Sequence, residues 1–88
     1  MPRKVDANQR EIVEKLRKRG ISVQCLHTVG KGCPDILCGY FDRNYLFEIK
    51  ANEKSKLTAD EMKWHMAWQG QVHVILSAQE ALDIIGVE

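Results

Sequence analysis

Asp35-Ile36-Leu37-Cys38-Gly39-Tyr40-Phe41-Asp42-Arg43-Asn44-Tyr45-Leu46-Phe47-Glu48-Ile49-Lys50 decides the fold of this 88-residue chain. Two apolar-rich runs, 36–41 and 45–49, flank the turn-forming Asp42-Arg43-Asn44, which is the pattern of a β-hairpin. Side chains alternate along a strand, so Leu46, Glu48 and Lys50 share one face while Tyr45, Phe47 and Ile49 share the other. The hairpin carries Asp35, at the start of its first strand, across from Glu48 and Lys50 at the end of its second. Two carboxylates and an ammonium group thereby converge at one end of a sheet.

Such a cluster is suited to a hard divalent cation. Mg²⁺ favours carboxylate and carbonyl oxygens, keeps several waters, and is often completed by substrate phosphates; Mn²⁺ accepts the same ligands. Asp35, Glu48 and the backbone carbonyl of Ile49 supply the protein's share of that set. A bound cation would lower the pKa of a water and stabilise charge on a phosphodiester, and Lys50 would orient the water or the charge that builds up.

The order Pro34-Asp35, then Glu48-Ile49-Lys50, resembles the PD-(D/E)XK nuclease superfamily. The wider frame is similar to its virus-type replication-repair (VRR-NUC) family. It comprises a helix ending in Leu16 to Gly20, Gly32-Cys33-Pro34-Asp35, Phe47-Glu48-Ile49-Lys50, and a helix running from Leu57-Thr58 to Trp64. The resemblance covers nearly the whole chain. It implies an α/β fold with a mixed central sheet flanked by helices, catalytic Asp35, Glu48 and Lys50, and a Mg²⁺-dependent DNA endonuclease. Stand-alone members resemble Holliday-junction resolvases, so branched DNA and a homodimer are expected; two symmetry-related sites can cut two strands of a junction. The resemblance further implies a polar contribution from the first helix. Gln9 best matches the expected glutamine, Asp6 lies near the acidic position, and Glu11 is the competing choice. Alternatives in other classes are a non-catalytic nucleic-acid-binding module of the same fold and an RNA-processing nuclease.

Length and composition narrow the field. Eighty-eight residues make a single domain, 1–88, with a modest core. No run approaches the roughly 18 apolar residues of a membrane span, and the polar start lacks an apolar signal core, so a soluble, cytoplasmic protein without membrane partners is expected. Cys25, Cys33 and Cys38 form no Cys-x-x-Cys pair and read as reduced thiols rather than zinc ligands. Gly30-Lys31-Gly32 lacks phosphate-loop spacing, which argues against a nucleotide cofactor; its glycines would let substrate backbone approach closely.

Charge is unevenly spread. Residues 1–20 hold seven basic against three acidic side chains, whereas 64–88 hold Glu80, Asp83 and Glu88 with no Lys or Arg. One end therefore suits a phosphate backbone, with Lys31, Lys54 and Lys56 as further candidate phosphate contacts, although basic helix faces and loop lysines also serve simply as solvated surface.

The remaining elements follow in order. Apolar spacing and Gly20 predict a helix over 6–19; residues 21–28 alternate as a strand; Thr58-Ala59-Asp60-Glu61 is a capping box opening a helix that ends by Gly70. Glu61 is read as that cap rather than as a catalytic residue. Trp64 and Trp68, four apart, are expected in the core or at a dimer contact. A strand over 72–76 and a second capping box, Ser77-Ala78-Gln79-Glu80, complete the order α-β-β-β-α-β-α. His27, His65 and His73 are dispersed and read as structural.

Overall fold

The computed structural model describes residues 7–87. It comprises α1 (Ala7–Lys18), β1 (Ser22–Cys25), β2 (Ile36–Tyr40), β3 (Arg43–Ile49), α2 (Ala59–Ala67), β4 (His73–Ile75) and α3 (Ala78–Ile85). The four strands form one sheet in the order β1-β2-β3-β4, antiparallel at the first two joins and parallel at the last. The fold is thus α/β with a mixed sheet.

Helix α1 turns Ile12, Val13 and Leu16 to the core and its charges outward. It stops in a Schellman motif: Ile21 N–H donates to the Leu16 carbonyl at 3.2 Å and Gly20 N–H to that of Arg17 at 3.0 Å, with Gly20 at φ 81°. That turn drops the buried Ile21 beside Leu16 and starts β1 in register.

The hairpin is tighter than the sequence indicates. Tyr40 pairs with Arg43, so the loop is only Phe41-Asp42, both at positive φ (47° and 63°), while Arg43 and Asn44 belong to β3. Positive φ at both central residues matches the twist of the strands, although Asn or Gly normally fills such positions. The register puts Ile36, Cys38, Tyr45, Phe47, Ile49 and Ile75 on one buried face, which α1 and α3 cover with Leu16, Ala81, Leu82 and Ile85.

The opposite face carries Ser22, Gln24, Leu37, Gly39, Asn44, Leu46, Glu48 and Val74. Helix α2 meets this side through its own first turn, where Glu61, the buried residue of the helix, pairs with Lys50. Trp64 and Trp68 therefore do not enter the core. They stack on each other at 4.6 Å, and Trp68 stays 46% exposed, because α1 and α3 already fill the apolar face. The capping box at Thr58 is complete. At α3, Ser77 accepts from Glu80 N–H, but the Glu80 carboxylate reaches back to Leu76 N–H at 3.0 Å, so this box is not reciprocal. Among the described residues no helix is long and apolar enough to cross a membrane.

Candidate active site

Pro34 is fully buried and delivers the chain to Asp35 in an extended direction. Asp35 N–H donates to the Phe47 carbonyl at 3.0 Å, and the Asp35 carbonyl accepts from Leu26 N–H at 2.8 Å, so its backbone is held from both sides. Its Oδ2 accepts from Ile49 N–H at 2.7 Å. A residue's N–H and C=O leave a strand on the same side, so the Ile49 carbonyl emerges beside this carboxylate.

Glu48 shares the sheet face of Asp35 and is 1% exposed. Its Oε1 is buried and has no hydrogen-bond partner. Burial pushes the Glu48 carboxyl well above the usual carboxylate range. The hydrogen bond to Asp35 and the negative charges of Asp35 and Glu61 add to this, and Lys50 opposes it. Such a group gains most from a cation that restores its charge.

Lys50 Nζ lies 3.8 Å from Glu48 Oε2 and 2.6 Å from Glu61 Oε1. Glu61, 1% exposed, accepts at the same oxygen from Thr58 N–H at 2.8 Å. Burial alone would raise its pKa, but the bonds from Lys50 and Thr58 and the charge of Lys50 hold it down to about 2. Glu61 is thus both the helix cap that the sequence indicates and the anchor of the lysine. The second role depends on where residues 51–57 return the chain, which no local pattern encodes. His65, one turn along α2, lies near the same pair; burial and Lys50 lower its pKa while Glu61 raises it.

Gly32 has a task within the fold itself. A Cβ there would lie 2.2 Å from the Asp60 carbonyl oxygen, so this glycine admits the first turn of α2. Cys33 also lies at the cluster: burial, then Glu48 and Asp35, raise its thiol pKa and keep it protonated.

The first-helix candidates separate. Glu11 is exposed and pairs with Lys15 at 2.9 Å, as a surface ion-pair partner does. Gln9 is buried and lines a groove of about 470 Å³ with Cys25, between α1 and β1. Asp6 lies outside the described residues. From α1, Asn8 reaches the end of β3, its Nδ2 3.4 Å from the Lys50 carbonyl; its i,i+4 relation to the buried Ile12 could have marked it. Lys31, Lys54 and Lys56 are exposed, and Lys31 holds φ 54°.

Among the described residues no three His, Cys, Asp or Glu side chains form a ready metal-binding group. The donors at hand are two carboxylates and a carbonyl. That incomplete set fits Mg²⁺ or Mn²⁺, which keep waters and take substrate oxygens, better than a caged ion. The buried, unpartnered Glu48 Oε1 is the observation that favours the fit. Comparison of the chain with family models, with curated proteins and with solved structures returned no match.

Proposed function

We propose that this protein is a divalent-metal-dependent endonuclease that hydrolyses DNA phosphodiesters, acting as a homodimer on branched DNA. The observation that carries the reading is the buried pair Asp35 and Glu48, with Glu48 Oε1 unpartnered, beside an ammonium group held in place. The motif resemblance to the VRR-NUC family of PD-(D/E)XK nucleases supports it, as do the α/β fold and the basic α1.

Asp35, Glu48 and the Ile49 carbonyl would hold Mg²⁺ or Mn²⁺. When bound, the cation supplies Lewis acidity and a water of lowered pKa. Asp35 is kept oriented by the Ile49 amide. Lys50 donates to the attacking water or to a non-bridging phosphate oxygen, where its charge offsets the added charge of the transition state. Water adds to phosphorus and gives up a proton to solvent, the P–O3′ bond breaks, and the departing O3′ takes a proton from solvent, leaving a 5′-phosphate and a 3′-hydroxyl. Glu61 keeps Lys50 aimed at the carboxylates. The dimer has support in α2, which leaves Met62, Met66 and Trp68 exposed.

The test is cleavage of labelled four-way junction, flap, duplex, single-stranded DNA and RNA with Mg²⁺, Mn²⁺ or EDTA. Junction cutting that requires the metal and disappears in Asp35→Ala and Lys50→Ala is the expected result. Junction binding without cutting points instead to a non-catalytic module.

A further inference from the structure

On the face that carries Glu48, one row of cross-strand partners runs Ser22, Gly39, Asn44. Gly39 has no side chain, so the row forms a floor with a hydroxyl on one side and an amide on the other. A cleft of about 570 Å³ opens there, bounded by Gly20, Phe41 and Arg43 as well. Glycine inside a strand forfeits packing and commonly marks close approach of a ligand. No neighbouring group requires glycine here: a Cβ would meet Asn44 Oδ1 at 3.7 Å and the Ser22 Cβ at 3.8 Å, which is ordinary contact.

At the rim stands Phe41, 82% exposed and edge-on to Tyr40 at 4.5 Å. Its φ of 47° belongs to the left-handed region, where a bulky side chain is strained. The turn therefore holds an aromatic ring in water at a position that Asn or Gly would fill more stably. One cationic residue, Arg43, lines the cleft. Asp42 at the hairpin tip is the acidic residue among the lining groups.

We infer that this cleft binds an unpaired nucleobase of the strand being cut. The inference rests on the DNA reading of the carboxylate site and extends it. Gly39 lies four residues along the strand direction from Asp35 on the same face, about 13 Å away at ~3.3 Å per residue, or roughly four stacked base steps. The half-buried Leu37 and Leu46 pave the interval. A base laid on Gly39 meets the Phe41 ring and offers its edge to Asn44 and Ser22. Arg43 meets a flanking phosphate. Stacking on an aromatic ring tolerates any base, as a nuclease that recognises branching rather than sequence requires.

The experiment measures fluorescence anisotropy of a labelled single-stranded oligonucleotide, and of the same chain bearing abasic sites, with Ca²⁺ replacing Mg²⁺. Wild type is compared with Gly39→Val and Phe41→Asn. Valine fills the floor with a good strand former, and asparagine relieves the turn, so neither is expected to lower Tm. The expected result is affinity for the base-bearing strand reduced about five-fold or more in both variants, with the abasic strand bound weakly by all three proteins. Equal affinity of all three for the base-bearing strand, or wild type holding the abasic strand as tightly, overturns the cleft and leaves the nuclease reading standing. Wild type binding neither strand also overturns the cleft.

Discussion

Lys50 links two buried carboxyl groups, Glu61 closely and Glu48 at longer range. Removing Glu61 by Glu61→Ala leaves a mostly buried ammonium without its close partner and also opens the helix cap, so a loss of about 3–5 kcal/mol in urea unfolding is expected. Glu61→Gln keeps the hydrogen bonding and costs less. The pH dependence has two arms. Glu48, raised in the fold, contributes stability that is complete below the unfolded value of ~4.3 and is lost as pH climbs. Glu61, held at about 2, contributes above that unfolded value and loses its contribution as pH falls. Metal-free protein should therefore weaken as pH rises above the carboxylate range, and Glu48→Gln should flatten that arm. Added Mg²⁺ should raise Tm more at about pH 8 than at about pH 5, because it binds the charged form. Asp35, Glu48 and Lys50 were legible at this scale because strand parity and Pro34 are local. The Lys50–Glu61 bond was not, since it joins two elements across an irregular loop.

Helix α2 is attached by its first turn, where Gly32 lies against the Asp60 backbone. Gly32→Ala combines a backbone collision with φ 84°, and the helix must move to accommodate it. A loss of at least about 2 kcal/mol is expected by denaturation. Cleavage should fall further than stability explains, because Glu61 would leave Lys50. The elements themselves were readable from apolar period, caps and Gly20. What the pattern misplaced was the hairpin loop: Phe41 and Asp42 carry it without any Asn-Gly or Asp-Gly signal, and register against β2 draws Arg43 and Asn44 into the strand. The tryptophans misled for a related reason. Their spacing marks a helix face, but not which layer receives it, and α1 with α3 had already closed the apolar side of the sheet.

Across the whole molecule, several large apolar side chains remain open to solvent. Met66 is 82% exposed, and Met62, Trp68 and Val74 are also open to solvent. Light scattering should report twice the 10.1 kDa chain mass, and the double substitution Met66→Lys with Trp68→Lys should shift the protein to monomer. A wild-type monomer at working concentration would contradict the dimer. The central claim, that Asp35 and Glu48 form a cation site on a sheet end, is most directly met by titrating metal-free protein with Mn²⁺ and following free ion by electron paramagnetic resonance. Saturable binding that disappears in Asp35→Asn and Glu48→Gln, and persists in Lys50→Ala, is the predicted result. Mn²⁺ that stays free with wild type, or binds the carboxylate variants equally well, would show that these two buried carboxylates serve some purpose other than holding a metal.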